Sequence, residues 1–367
     1  MLAWYAPGRP VWSPRDPAAF AREGYARNAV AYRCVRMIAE AAASASLKVT
    51  PYDHPLARLL ARPNPEQTGV ELLETFYGHL QVAGNAFMEA ASLDDAVPTE
   101  LYVLRPDRMS VIPGTDGWPI GWEHRVGAQT RRFDRDPLSG DAPILHIKLF
   151  NPGDDWYGLS PMEAAAFSID IHNAGGAWNK ALIDNAARPS GALVFTGAGG
   201  ADRLSEEQFQ RLRAELDDLH VGAANAGRPM LLEGGLDWRP MSLSPADMDF
   251  IEARHAAARD IALAFGVPPM LLGIPGDNTY SNYREANVAF WRQTALPLAL
   301  KAARGMEAWL GGRWRNAGAA SVTIDLDAVP ALAVEREALW GRLTAADFLT
   351  EPEKRRLAGI EPEEHRT

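Results

Sequence analysis

The sequence predicts an α+β fold, on three observations. Residues from about 86 to 150 alternate short β-branched and aromatic runs with turn dipeptides such as Pro113-Gly114 and Asp116-Gly117. Long stretches on both sides place apolar residues at helical spacing. Several of those stretches open on a serine or threonine with an acidic residue three positions on, the reciprocal hydrogen-bonding pattern that starts a helix. At 367 residues, 47% hydrophobic and 23% charged, the chain has apolar surface for two or three folding units and a composition too ordinary for wholesale disorder.

Residues 1–27 read as an irregular arm, broken by Pro7, Pro10, Pro14 and Pro17. From Ala29 to about Ala45, Val30, Cys34, Met37 and Ile38 recur on a helical face. His54-Pro55 breaks the chain before a short helix to Ala61, and Arg62-Pro63-Asn64-Pro65 is a loop, because each proline disfavours helix in the residue before it. Thr68-Gly69-Val70-Glu71 is a capping box and opens a helix to about Gly84. Leu101–Leu104, Met109–Ile112 and Ile144–Phe150 are the better strand candidates.

Ser160-Pro161-Met162-Glu163 sets a capping serine, a proline at the first helical position and a glutamate at the third. The helix it starts runs to about Ala187, roughly 40 Å. Phe167, Ile171, Ala174, Trp178 and Leu182 form its apolar stripe. Gly175-Gly176 inside it costs roughly 1 kcal/mol per glycine, so either another backbone comes close there or the helix bends. Ser205-Glu206-Glu207-Gln208 and Ser244-Pro245-Ala246-Asp247 are two further starts. The helix after Ser244 carries Met248, Ile251, Ala258, Ala262 and Phe265, with His255 on the same stripe, and stops at Gly266-Val267-Pro268-Pro269. A polar loop, Gly273–Asn282, precedes a long helix from about Tyr283 to Leu310 that Pro297 should kink. Val322, Ile324 and Leu326 alternate as a strand; a helix around Ala333–Thr344 follows, and Thr350-Glu351-Pro352-Glu353 opens a terminal one.

Composition bounds the function. The longest apolar runs fall far short of the roughly 18 residues that cross a bilayer, so no membrane partner is expected. Cys34 is the single cysteine, which excludes an intrachain disulfide framework and a cysteine-rich zinc site. The formal charge is −10 and the pI is near 5.4. A protein that grips DNA through its phosphates carries a basic face instead.

No catalytic signature stands. There is no Walker-type glycine loop ending in Lys-Ser/Thr, no His-Glu-x-x-His and no Gly-x-Ser-x-Gly. Gly158-Leu159-Ser160-Pro161 resembles a nucleophile turn only superficially, since its proline and glutamate make Ser160 a helix cap. Gly197-Ala198-Gly199-Gly200 lacks a following lysine, and the histidines lack ligand spacing. No cofactor or metal is expected. The weak exception is Asp154-Asp155, which with His146 would be an example of a set for a metal-dependent hydrolase.

Several ordered segments then carry a resemblance. They are Asn28-Ala29-Val30-Ala31-Tyr32, His54-Pro55-Leu56 before Arg62-Pro63-Asn64-Pro65, Gly84-Asn85-Ala86-Phe87 and Tyr157-Gly158-Leu159-Ser160-Pro161. Arg188-Pro189-Ser190-Gly191, Phe265-Gly266-Val267-Pro268-Pro269, the run Asn278 to Phe290 and Glu353-Lys354-Arg355-Arg356 before Gly359 follow. In this order they resemble the HK97-type family of phage portal proteins over nearly the whole chain after the arm. The resemblance implies a portal fold: an α/β wing (first part 28–158), a stem helix (159–188), an α/β clip (189–243), a second stem helix (244–272) and a tunnel loop (273–282). A kinked helix with a strand returning to the wing (283–328) and a short helical crown (329–367) complete it. The short crown and the Ala/Arg-rich composition suit a small siphophage-like particle or a gene transfer agent.

The same resemblance implies a homododecameric ring at one capsid vertex of a virion assembled in the host bacterial cytoplasm. Double-stranded DNA would pass through it without sequence specificity, and the major capsid protein, the terminase large subunit and a head–tail adaptor would dock on it. Asp277, Asn278, Thr279, Tyr280, Ser281 and Asn282 are the expected channel residues, with Arg284 and Arg292 on the helix behind as candidates for DNA contacts or, by preference, for salt bridges between subunits. Glu206, Glu207, Arg211, Arg213, Glu215 and Asp217 are the expected partner surface of the clip. The rival readings are the hydrolase and a different head–tail adaptor ring component.

Overall fold

A computed structural model describes residues 16–92, 97–115, 117–184, 191–195, 205–207, 209–211, 236–240, 250–275 and 280–360. The chain divides into two compact units, residues 1–167 with 259–367, and residues 168–258.

The first unit begins with a correction. Pro17–Tyr25 is helical, a short α1 (Pro17–Ala19) running into a π turn (Phe20–Tyr25), so that part of the expected arm is structured. Asp16 accepts from the Ala19 amide at 2.8 Å to start it, and Phe20 and Gly24 are buried. Proline at the first helical position initiates the segment, where its missing N–H has no partner to lose.

Helix α2 (Ala29–Ser44) starts at Asn28, whose side chain accepts from the amides of Val30 and Ala31. Strand β1 (Leu47–Thr50) and α3 (Pro55–Ala61) follow, and α4 (Gly69–Ala83) packs against α2. The Thr68–Glu71 box forms in full, and α4 ends on Gly84 at φ +69°. A Cβ there would meet the Gly158 carbonyl at 2.3 Å, so this position needs glycine twice over.

Three antiparallel strands pair in the order β3-β2-β7: β3 (Glu100–Leu104), β2 (Asn85–Ala91) and β7 (Ile144–Lys148). A second sheet runs β4 (Met109–Pro113), β5 (Pro119–Val126), β6 (Gln129–Asp134). Between them lies one core of Phe87, Met109, Trp122, Phe133, Ala142 and Ile144. A short turn α5 (Pro161–Ala164) then starts on Ser160, which accepts from the Glu163 amide at 2.9 Å, the expected cap. The helix is interrupted for one residue: Ala165 forms a turn before α6 (Ala166–Asp184).

Most of α6 lies in the second unit, with β8 (Gly191–Phe195) antiparallel to β9 (Leu236–Pro240) and the first part of α7 (Phe250–Ala264). Within this unit Arg254 Nε donates to Nε2 of the buried His172 at 3.4 Å. Burial, then the Arg254 charge, lower the pKa of that imidazole. Neither Gly175 nor Gly176 has any atom within 4 Å of where a Cβ would stand, so the close backbone approach their presence suggested is absent among the described residues. The Ser244 start and the Gly197–Gly200 turn lie outside the described residues.

In the first unit again, α7 ends at Gly266 (φ +66°). Helix α8 (Tyr280–Phe290) continues through a π turn (Trp291–Ala295) into α9 (Leu296–Leu310). The long helix therefore starts three residues earlier than the sequence suggested, and a widened turn stands where a kink was expected. Helix α9 packs on β7, where Gly305 leaves room for Ile147. Strand β10 (Ser321–Ile324) pairs antiparallel with β1, Val322 opposite Val49, joining two segments far apart in sequence. Helices α10 (Ala333–Ala345) and α11 (Glu351–Ala358) close the chain, the second on the complete Thr350–Glu353 box.

Candidate channel and interface residues

Helix α8 leaves the segment 276–279, so Asp277, Asn278 and Thr279 lie outside the described residues. Tyr280, Ser281 and Asn282 belong to the first turn of α8 and are not loop, which shortens the expected tunnel loop from its C-terminal side. The start of this helix is solvent-facing: Asn282, Tyr283, Arg284 and Glu285 are all exposed, and burial begins only with the half-buried residues before Phe290. Arg284 has Glu285 beside it at 4.0 Å, so this turn carries opposite charges and not a concentrated cationic patch.

Arg292 is committed elsewhere. Its Nε donates to Oε2 of Glu335 at 3.1 Å and a second guanidinium nitrogen reaches the other carboxylate oxygen, a bidentate ion pair between the π turn and α10. Lys301 Nζ donates to the Lys148 carbonyl, and burial followed by the Lys148 charge lower the pKa of its ammonium. Arg304 pairs with Glu307 at 3.1 Å, and Glu307 also accepts from the Val322 amide at 2.7 Å. The cations that the sequence spreads along this helix are thus mostly structural.

Of the clip residues, Glu206, Glu207 and Arg211 are helical and exposed, with Gln210 donating to Glu206 at 2.9 Å. Arg213, Glu215 and Asp217 lie outside the described residues.

The residues of the hydrolase rival are not brought to a common site. His146 stacks on Phe87 with ring centroids 4.1 Å apart, and its Nε2 is 3.0 Å from Asn85 Oδ1. Asn85 Oδ1 also accepts from the Gly158 amide, while its amide nitrogen donates to the carbonyls of Ala83 and Gly158. The acceptor therefore faces His146, whose Nε2 carries the proton. Burial, then the Lys148 charge, push this imidazole down to about 3. Asp154 instead folds its own loop, accepting from the amides of Trp156 and Tyr157. The Asp155 backbone carbonyl accepts from Lys148 Nζ. Among the described residues no group of three His, Cys, Asp or Glu side chains converges for a metal, and no helix is long and apolar enough to cross a membrane.

Sequence reasoning missed one candidate surface, α10. It fully buries none of its residues, and Val334 (70% exposed) and Trp340 (44%) stand in solvent with Phe348 and Leu357 nearby in sequence. Its apolar residues are too few and too interspersed with charge to announce a second face.

The comparisons bear on all of these residues together. A sequence model of the family described as Phage portal protein matches residues 29–359. A protein of Rickettsia bellii is 40% identical over 347 residues, 92% of this chain and 88% of its own length. The neck of a native gene transfer agent particle, computed with C12 symmetry, contains a chain 53% identical to this one. That match has a TM-score of 0.74 and covers 97% of each chain. The HK97 family phage portal protein of Corynebacterium diphtheriae is only 14% identical but superposes with a TM-score of 0.60 over 89% of this chain and 99% of its own, which speaks for the fold. The chain belongs to the phage portal protein family, as an HK97-type portal protein of the kind built into gene transfer agents.

Proposed function

We propose that this protein is a DNA conduit: twelve copies close into a ring, duplex DNA is threaded through its opening during packaging and ejection, and the ring carries no catalytic step of its own. As a portal protein it is the ring subunit of a capsid vertex and resides in the virion. The terminase large subunit and later the head–tail adaptor dock on the clip around Glu206, Glu207 and Arg211, and the major capsid protein surrounds the wing.

The observation that carries this reading is the near-complete match, 97% of each chain at 53% identity, to a chain of a neck computed with C12 symmetry. Physical features support it. Phe167 and Trp178, on the expected stripe of α6, are 55% and 43% exposed, and Gly175 and Gly176 leave open space beside them. A heterologous contact that closes by rotation covers such surface with the next copy. A net charge of −10 per chain keeps a DNA backbone from being held, and a sliding polymer needs that weak grip. The exposed first turn of α8, with the segment before it, is the element we assign to the channel wall.

The test is deletion of residues 276–281 in the particle-producing cell. Rings and particles should form as before, while DNA content per particle falls severalfold. Particles that package and hold DNA normally would remove this segment from the channel.

A further inference from the structure

The turn Trp291–Ala295 is tied at two points to elements distant in sequence. Thr294 Oγ1 donates to the Gly266 carbonyl at 2.6 Å, at the end of α7, and occupies the space a Cβ on Gly266 would need. Arg292 forks onto Glu335 in the first turn of α10. Both reaches start from the widened turn. Pro297 has no N–H to give the Gln293 carbonyl, and its ring would press on that carbonyl in a regular helix. The chain answers with π spacing, the Leu296 amide reaching back to the Trp291 carbonyl. One extra residue in the turn rotates everything before it by about 100° relative to an uninterrupted helix.

Helix α10 has little else to hold it in register with α8. It fully buries none of its residues and is tied mainly to the segments around it: Arg336 pairs with Asp327 and donates to the Ala358 carbonyl at 2.7 Å, Trp340 hydrogen-bonds Asp327, and Lys354 of α11 donates to the Thr344 carbonyl at 3.3 Å. The attachment is polar, not a packed apolar seam.

We infer that the π turn forced by Pro297 is a coupling device: it aims Arg292 at Glu335, so that the position of the crown helix α10 follows that of α8, the helix leaving the channel segment. The coupling stands on the fold of one chain. Only its use, relaying the state of the channel wall to the crown, rests on the portal reading.

Hydrogen exchange on the full, assembled chain tests it. An exposed ion pair is worth little, so R292Q should speed exchange in α10 by about two- to fivefold. Coupling is reciprocal, so E335Q should speed exchange across Trp291–Leu296. The swap R292E/E335R should restore both. P297A keeps both charges but lets the turn close into regular helix, and α10 should then exchange as fast as in R292Q. Unchanged exchange of α10 in R292Q, or wild-type protection of α10 in P297A, overturns the inference. Protection of β2 reports on the fold; should P297A loosen that strand too, the charge swap decides. Failure of the protein to form rings would sink the portal reading and leave these exchange differences to be read as they stand.

Discussion

The sheets around β2 and β5 and the helices α6 and α10 are built on opposite terms. Along β2, residues 85–89 are buried in succession. The polar members among them are matched inside the chain: Asn85 to His146, Ala83 and Gly158, and Glu89 to Arg131 at 2.7 Å. Along α6 the apolar stripe stays in solvent at Phe167 and Trp178, and two glycines border open space; α10 fully buries nothing. Around the sheets, Trp122 Nε1 and Arg135 Nε are buried without a partner among the described residues, but the polar groups of β2 itself are satisfied within one chain, as a finished fold requires. A helix that leaves large apolar side chains in water is half of an interface. One chain completes its sheets, while α6 and α10 leave apolar surface for the ring contact proposed above.

The largest effect that breaks this comparison lies in the wing. Phe87 is fully buried and stacked on His146, so F87A should destabilise the wing by about 3–5 kcal/mol, read as a lowered thermal transition. A loss under about 1 kcal/mol would mean the core is not the keystone described here. The helices should respond the other way. Gly176→Leu replaces the poorest helix former after proline, and its Cβ has no neighbour within 4 Å among the described residues, so the isolated subunit should unfold no earlier than wild type. Ring assembly should nevertheless fall at least tenfold, because the added side chain fills the space reserved for the next copy; rings at wild-type yield would exclude α6 from the interface.

The smallest effect sharpens the account of the wing. His146 is held neutral, its pKa pushed down from the ordinary 6.5 to about 3 by burial, and His79 is likewise pushed to about 4. Between those values and 6.5 the unfolded chain takes up protons that the folded one refuses. Stability is therefore full above pH 6.5 and falls as the pH drops through the acid range. H146Q keeps a donor for Asn85 without the titration. Its melting temperature should fall less between pH 7 and 4.5 than that of the wild type, and an equal fall would move the effect elsewhere.

The two regions also differed in how far they could be read from sequence. Local chemistry announced itself: Thr68, Ser160 and Thr350 each start the helix their side chains suggested. Strand β2, Asn85-Ala86-Phe87-Met88-Glu89-Ala90-Ala91, escaped as a distinct strand because it is rich in helix formers and buried on successive residues, so it lacks the alternation of a half-exposed strand. The π turn escaped because Pro297 signals a disturbance without choosing between a kink and a widened turn. Arg292 read as a cation for DNA or for a neighbouring subunit, since no spacing rule links it to Glu335 forty-three residues on in its own chain. The ordered motifs of the whole chain identified the family where no single residue could, but side-chain roles within it depend on contacts that only the folded chain displays.

The most direct test of the central claim is electron-microscopic imaging of the purified full-length protein. The account predicts closed rings with an open central channel, twelvefold like the related neck, with the α6 face turned to the neighbouring copy. A population of compact single chains, with Phe167 and Trp178 covered within the chain and no ring under assembly conditions, would contradict it.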